Sequence, residues 1–191
     1  MGGSPKALLP FGDRPLIRHI VEKLAAALPD ALVVTNSPEL YAFLGLPMVP
    51  DVFPDGGSLG GIYSGLAAAP GEAALCVACD MPFLSVGLLR HLAGRAGEAD
   101  VVIPDAASDL QTLHAVYGKA CLPAMERRLR AGRLKITAFF DEVRVLRVPE
   151  AVVAGFAAPE LAFMNLNTPD DLARARTLWA EQGADARAGR A

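Results

Sequence analysis

The stretch Ala73-Ala74-Leu75-Cys76-Val77-Ala78-Cys79-Asp80-Met81-Pro82 decides the fold. Its first seven residues are all apolar, which suits a strand buried on both faces, as in a mostly parallel sheet covered by helices. The run then breaks at a carboxylate, with a proline two residues on. In open α/β sheets ligands bind beyond the carboxyl ends of the strands, so Asp80 stands where a hard cation, and through it phosphates, could be held. An aspartate in a turn also has a purely structural reading. Cys76 and Cys79 spell C-x-x-C, but residues three apart on a strand point to opposite faces, which argues against a shared metal or a redox pair. With only three cysteines in the chain, a disulfide framework is excluded as well.

Working outward, apolar runs of the same kind recur at Ala31 to Thr35 and Asp100 to Ile103, separated by stretches with helical periodicity. Leu16, Ile17, Ile20, Val21, Leu24 and Leu28 predict an amphipathic helix over 15–28, with Pro15 in its first turn and Asp13 as a candidate cap. A Gly-rich stretch from Asp55 to Gly61 leads into a predicted helix of small residues through Ala69, and a segment from Ser85 to Ala96 predicts another. Further on, Leu110 to Tyr117 and Val143 to Val148 read as strands, with a basic helix over 122–131 between them. Leu161 to Met164 reads as a last strand, followed by a helix capped by Thr168, with Pro169 at its first position and Asp170 and Asp171 at its positive end. Helices alternating with strands predict an α/β fold, with one domain over 1–182 and a flexible tail over 183–191.

The 191 residues are 52% hydrophobic and 20% charged, with a net charge of −3. That balance excludes disorder and gives no basic excess for nucleic-acid binding. No apolar run approaches the roughly 20 residues that a membrane-spanning helix needs, and no segment reads as a signal peptide, so a cytoplasmic protein is expected. The run Glu126 to Lys135 carries five positive charges against one negative. It reads as a solvated helix face, or as a local patch that receives an anionic substrate.

Several other residues can bear chemistry. Lys6 is one of only four lysines and suits a point charge beside phosphates, although a solvated surface lysine is the commoner case. Gly56-Gly57-Ser58-Leu59-Gly60-Gly61 permits close backbone approach to a ligand, but it is neither G-x-G-x-x-G nor a P-loop. Asp51 precedes this loop. His19, His91 and His114 have no partner at metal-ligand spacing and read as core or surface histidines.

Taken in order, these segments resemble the molybdenum cofactor guanylyltransferase family of nucleotidyltransferases, over nearly the whole chain. Lys6, with the apolar stretch after it, is similar to the family's lysine, and Asn36 to its asparagine after the second strand. Asp51 with Gly57-Ser58-Leu59-Gly60-Gly61 resembles its aspartate and Gly-Pro-Leu-Ala-Gly-like loop. Cys79-Asp80-Met81-Pro82 matches its Cys-Asp-x-Pro metal site, and Gln111 to Tyr117 resembles its Gln-Pro-Leu-x-Ala-Leu-Tyr strand. Asn165 to Leu172 matches its Asn-x-Asn-Thr-Pro-Asp/Glu-Asp-Leu motif almost letter for letter.

The resemblance implies a three-layer α/β/α Rossmann-like fold and transfer of GMP from GTP to the phosphate of molybdopterin, with Mg²⁺ as cofactor and release of pyrophosphate. It implies Lys6 and Asp80 as catalytic residues and Lys6, Asn36, Asp51, Gly60 and Asp80 as nucleotide-binding residues. Asp80 would be the metal ligand, and Gln111, Asn165 and Asn167 would bind molybdopterin. A recipient molybdoenzyme or a cofactor-delivery protein would be a further partner. The family opens with a strand and a Leu-Ala-Gly-Gly-x-Ser-x-Arg-Met-Gly loop, of which only Met1-Gly2 has a counterpart, so the chain reads as N-terminally truncated relative to the family. The alternatives are a cytidylyltransferase of the same cofactor, another NTP transferase, or a non-catalytic molybdopterin- or partner-binding module.

Overall fold

The computed structural model describes residues 5–188. A tight hairpin of β1 (Pro10–Phe11) and β2 (Arg14–Pro15) leads into α1 (Leu16–Ala27), which buries Leu16, Ile17 and Ile20 as its spacing predicts. Asp13 does not cap this helix; its carboxylate bonds to Arg14 instead. β3 (Val33–Val34) pairs in parallel with β4 (Met48–Val49). α2 (Gly57–Ala68) then leads to β5 (Ala73–Val77), and α3 (Val86–Gly94) follows, its N-terminus capped by the Ser85 hydroxyl. The second half comprises β6 (Val101–Ala106), β7 (Asp109–Leu110), β8 (His114–Gly118), α4 (Leu122–Arg130), β9 (Val145–Pro149) and two single-turn helices, α5 (Glu150–Val153) and α6 (Pro159–Ala162). The last helix is α7 (Pro169–Ala188).

The larger sheet runs β5-β8-β6, with β7 and β9 both paired to β6. β5, β6 and β9 share one direction, while β8 lies antiparallel between β5 and β6. All five residues of β5 are half-buried, and among the described residues only β8 pairs with it. Side chains alternate across this sheet into two apolar layers. Val102 and Val116 face α1, α3 and α7, whereas Val101, Ile103, Ala115 and Tyr117 face α2 and α4. This is the three-layer α/β/α arrangement.

Two expectations fail locally. Leu161 to Met164 is not a strand: Pro159 starts a helical turn, and Ala162 and Phe163 donate to the carbonyls of Ala158 and Pro159. The segment over 110–117 is not one strand, because Gln111 and Thr112 turn the chain between β7 and β8; Gln111 N donates to Pro104 O, and Thr112 N to Leu110 O. At the other end, α7 continues to Ala188 through most of the expected tail, and residues 189–191 lie outside the described residues.

The β6–β7 hairpin turns on Ala107 (φ 53°) and Ser108 (φ 67°), both left-handed without being glycine. Two-residue hairpins of this type favour Asn-Gly, because a Cβ in the left-handed region costs roughly 1–2 kcal/mol. Ser108→Gly is expected to raise stability by up to about 1 kcal/mol after glycine's own entropic cost, or about 2–4 °C in Tm. Thermal unfolding of the two proteins would check this; a lower Tm for the glycine variant would mean that the turn carries no such strain.

Candidate functional site

The residues singled out in the sequence gather where strands end. Asn36 follows β3, Asp51 follows β4 and Asp80 follows β5. Asn36 and Asp51 are joined, since Asp51 N donates to Asn36 Oδ1 at 2.9 Å. The carboxylate of Asp51 bends back on its own loop, where Oδ1 accepts from Phe53 N at 3.0 Å and lies 2.8 Å from Ser64 Oγ.

Gly60 is buried against this carboxylate. A Cβ there would lie 2.7 Å from Phe53 O and 3.2 Å from Asp51 Oδ1, so only glycine lets α2 come this close. Its N–H is committed to Gly56 O at 3.0 Å. Gly60 therefore acts through close packing against Asp51, whereas the first-turn amides ahead of it, at Gly57 to Leu59, have no partner within the helix. Gly57 itself has φ 55°.

Lys6, Asp80 and Asn167 meet directly although the chain separates the two ends by 161 residues. Lys6 Nζ donates to Asn167 Oδ1 at 2.9 Å and lies 3.5 Å from Asp80 Oδ2. The backbone closes the same unit, since Leu166 N donates to Asp80 O at 3.0 Å. Thr168 caps α7 as predicted, in a reciprocal arrangement: Asp171 N donates to Thr168 Oγ1, and the Asp171 carboxylate accepts from the amides of both Asn167 and Thr168. These bonds, with the Thr168 hydroxyl foremost, hold the Asp171 carboxyl below its ordinary range.

Gln111 and Asn165 use their amide nitrogens inside the chain. Gln111 Nε2 donates to Ala106 O at 2.9 Å and so braces the β6–β7 hairpin, and Asn165 Nδ2 donates to Phe163 O at 3.2 Å. The basic run on and beyond α4 is largely neutralised: Arg127 and Arg128 pair with Glu142, and Arg130 with Glu126. Burial pushes the Cys76 thiol up to about 12, against any redox role for C-x-x-C. Among the described residues no group of three or more His, Cys, Asp or Glu side chains could hold a metal by itself. No described helix is long and apolar enough to cross a membrane.

One glycine-lined carboxylate thus follows β4, and a lysine–aspartate pair joined to the Asn-x-Asn-Thr-Pro motif follows β5. Residues 1–147 match the model of the MobA-like NTP transferase domain. The chain belongs to that family. It is 39% identical to a probable molybdenum cofactor guanylyltransferase of Pelotomaculum thermopropionicum over 92% of this chain and 86% of the relative. A molybdenum cofactor guanylyltransferase of Vibrio cholerae is 32% identical over 91% of this chain and 84% of its own. Among solved structures, molybdopterin-guanine dinucleotide biosynthesis protein A of Archaeoglobus fulgidus superposes with a TM-score of 0.80 at 26% identity, over 94% of this chain and 92% of that one. The 2-C-methyl-D-erythritol 4-phosphate cytidylyltransferase of Thermus thermophilus, at 19% identity and a TM-score of 0.67, shares the fold.

As a MobA-like nucleotidyltransferase the chain also uses two side chains that the sequence reading missed. Ser64, buried in α2, accepts from Val52 N at 2.9 Å and lies 2.8 Å from both Asp51 and Gly60 O, so it locks the aspartate loop onto the helix. A serine four residues after Gly60, on a helix of mostly small residues, was the available signal. Asp171, read only as a charge at the helix end, fixes the backbone of Asn167.

Proposed function

We propose that this protein transfers GMP from GTP to the phosphate of molybdopterin, forming the guanine dinucleotide cofactor and releasing pyrophosphate, as a cytoplasmic enzyme. The observation that carries the reading is the meeting of Lys6, Asp80 and Asn167 just past β5, with Asn36 and Asp51 joined where β3 and β4 end. The names of the relatives at 39% and 32% identity support the choice of substrates.

In the proposed reaction an oxygen of the molybdopterin phosphate attacks the α-phosphorus of GTP. A P–O–P bond forms, the α–β bridge breaks and pyrophosphate leaves with the electron pair. The attacking phosphate is already ionised, so no side-chain nucleophile is required. What the reaction needs is alignment of two anions and compensation of their charge. Lys6 supplies a compact positive charge for this. Asp80 suits Mg²⁺, which needs only one or two protein carboxylates when substrate phosphates and water complete its shell, and the ion would supply charge stabilisation for the leaving pyrophosphate. Asn36 and Ser64 hold the Asp51 loop, whose glycine-lined wall is offered to the nucleotide. Gln111 Oε1 and Asn165 Oδ1, which accept no hydrogen bond among the described residues, are offered to the N–H groups of the pterin, and Asn167 Nδ2 is a donor.

Incubation with the molybdenum cofactor, Mg²⁺ and each nucleoside triphosphate in turn tests this. Pyrophosphate and a guanine dinucleotide should form with GTP. Turnover with CTP alone would identify the cytidylyltransferase instead. Cofactor binding without pyrophosphate release from any triphosphate would identify a binding module.

A further inference from the structure

Lys6 sits on a single 3₁₀ turn, and its half-exposed side chain has only two polar partners among the described residues, Asp80 and Asn167. The two differ in kind. Asp80 is an anion at 3.5 Å, whereas Asn167 is a neutral acceptor at the shorter distance of 2.9 Å. Asn167 is itself anchored, because the Asp171 carboxylate accepts from its backbone amide at 3.1 Å and from the amide of Thr168 at 2.8 Å. Leu166 between the two asparagines is pinned to Asp80 O. The start of α7 is thus built against the Lys6–Asp80 pair.

Resting on the guanylyl-transfer reading, we propose that Asn167 is the positioning residue for Lys6, with Asp171 as its anchor. Any cation taken up by Asp80 competes with the ammonium for the same carboxylate. Lys6 then needs a partner that a metal ion does not claim, and one that does not cancel its charge. A neutral amide oxygen meets both requirements. It directs the Nζ while leaving the positive charge whole for the phosphates, and it limits the entropy that a long lysine side chain would lose on engaging substrate. A carboxylate at position 167 would hold the ammonium equally well but would add a negative charge beside two anionic substrates.

Two measurements on the full chain test this. The first needs no substrate: trace acylation of lysines, read by peptide mass spectrometry, with exposed Lys135 in the same molecules as reference. Asn167→Ala should raise labelling of Lys6 relative to Lys135 severalfold, and Asn167→Asp should leave it at the wild-type level or below. Unchanged labelling in a folded Asn167→Ala protein would overturn the proposal. The second is a double-mutant cycle in the transfer assay. Asn167→Ala should lower kcat roughly tenfold or more with little change in KM for GTP, and Lys6→Ala/Asn167→Ala should be no slower than Lys6→Ala. Independent, multiplicative losses would overturn the proposal. So would a raised KM for the molybdenum cofactor at unchanged kcat, which would make Asn167 a pterin contact only. If the wild-type protein transfers no nucleotide, the functional reading fails, and the labelling result still decides whether Asn167 holds Lys6.

Discussion

Asp80→Asn is expected to lower turnover by at least about a hundredfold, in line with the loss of one principal electrostatic stabiliser, while thermal unfolding stays nearly unchanged. The two halves of this expectation come from different atoms of one residue. The backbone carbonyl of Asp80 accepts from Leu166 N and ties the Asn165–Asn167 segment to the end of β5, a bond that asparagine keeps. Among the described residues the carboxylate contacts only Lys6 of the charged groups, at 3.5 Å, with the lysine side chain 38% and the aspartate side chain 17% exposed. A pair that open to solvent contributes about 0–1 kcal/mol. Its removal therefore costs little in folding, but it takes away the negative charge on which a hard cation depends. Steady-state kinetics with GTP and the molybdenum cofactor, beside a thermal melt, separate the two effects. Near-normal turnover in the variant would reduce Asp80 to a turn residue and end the mechanism proposed above.

What the sequence could reveal follows the range of the interactions. Local patterns were legible: the spacing of Leu16, Ile17 and Ile20 on α1, the apolar run of β5, the Ser85 region and Thr168 at helix starts. Asp80 was legible because its place depends only on where a buried strand stops. The direction of β8 was not, since a short apolar strand packs equally well either way and the chain reverses at the β6–β7 hairpin, on Ala107 and Ser108, two residues with no glycine or asparagine to mark a turn. Leu161 to Met164 misled for a related reason: four apolar residues carry too little periodicity to tell one buried helical turn from a strand, and Pro159 was the cue that mattered. Within the site, motif order brought Lys6, Asp80 and Asn167 forward singly. Their mutual contact joins the two ends of the chain and has no local signature. The sequence offers Gly60 for close backbone approach to a ligand, yet what it provides is the space that a Cβ would fill against Asp51.

The protein should also lose about 3 kcal/mol of stability to one histidine as pH falls from about 6.5 to about 4. His114 lies on β8 opposite Val77, fully buried, with its ring edge-on to Phe163 at 5.1 Å. Neither ring nitrogen has a hydrogen-bond partner among the described residues. Burial without a counter-charge pushes its pKa down to about 4. The folded state therefore stays neutral at His114 where the unfolded chain, titrating near 6.5, already binds a proton. Between those two values the unfolded state holds more protons, so stability rises with pH and falls on acidification. Above about 6.5 neither state is protonated and the contribution is flat. The carboxylates of Asp100, Glu142 and Asp171, all lowered by their hydrogen bonds, add their own loss only as pH falls below their ordinary ranges. The histidine's window is therefore separable. Urea unfolding of the wild type at pH 5 and pH 7 should differ by most of the first unit and a half of this loss, about 2 kcal/mol. His114→Leu or His114→Phe should remove that difference, because an apolar ring or branch has no proton to gain and no nitrogen to leave unpaired. If both variants keep the full slope between pH 5 and pH 7, the acid sensitivity belongs to another group, and His114 must have a polar partner in solution that lets it titrate near its ordinary value.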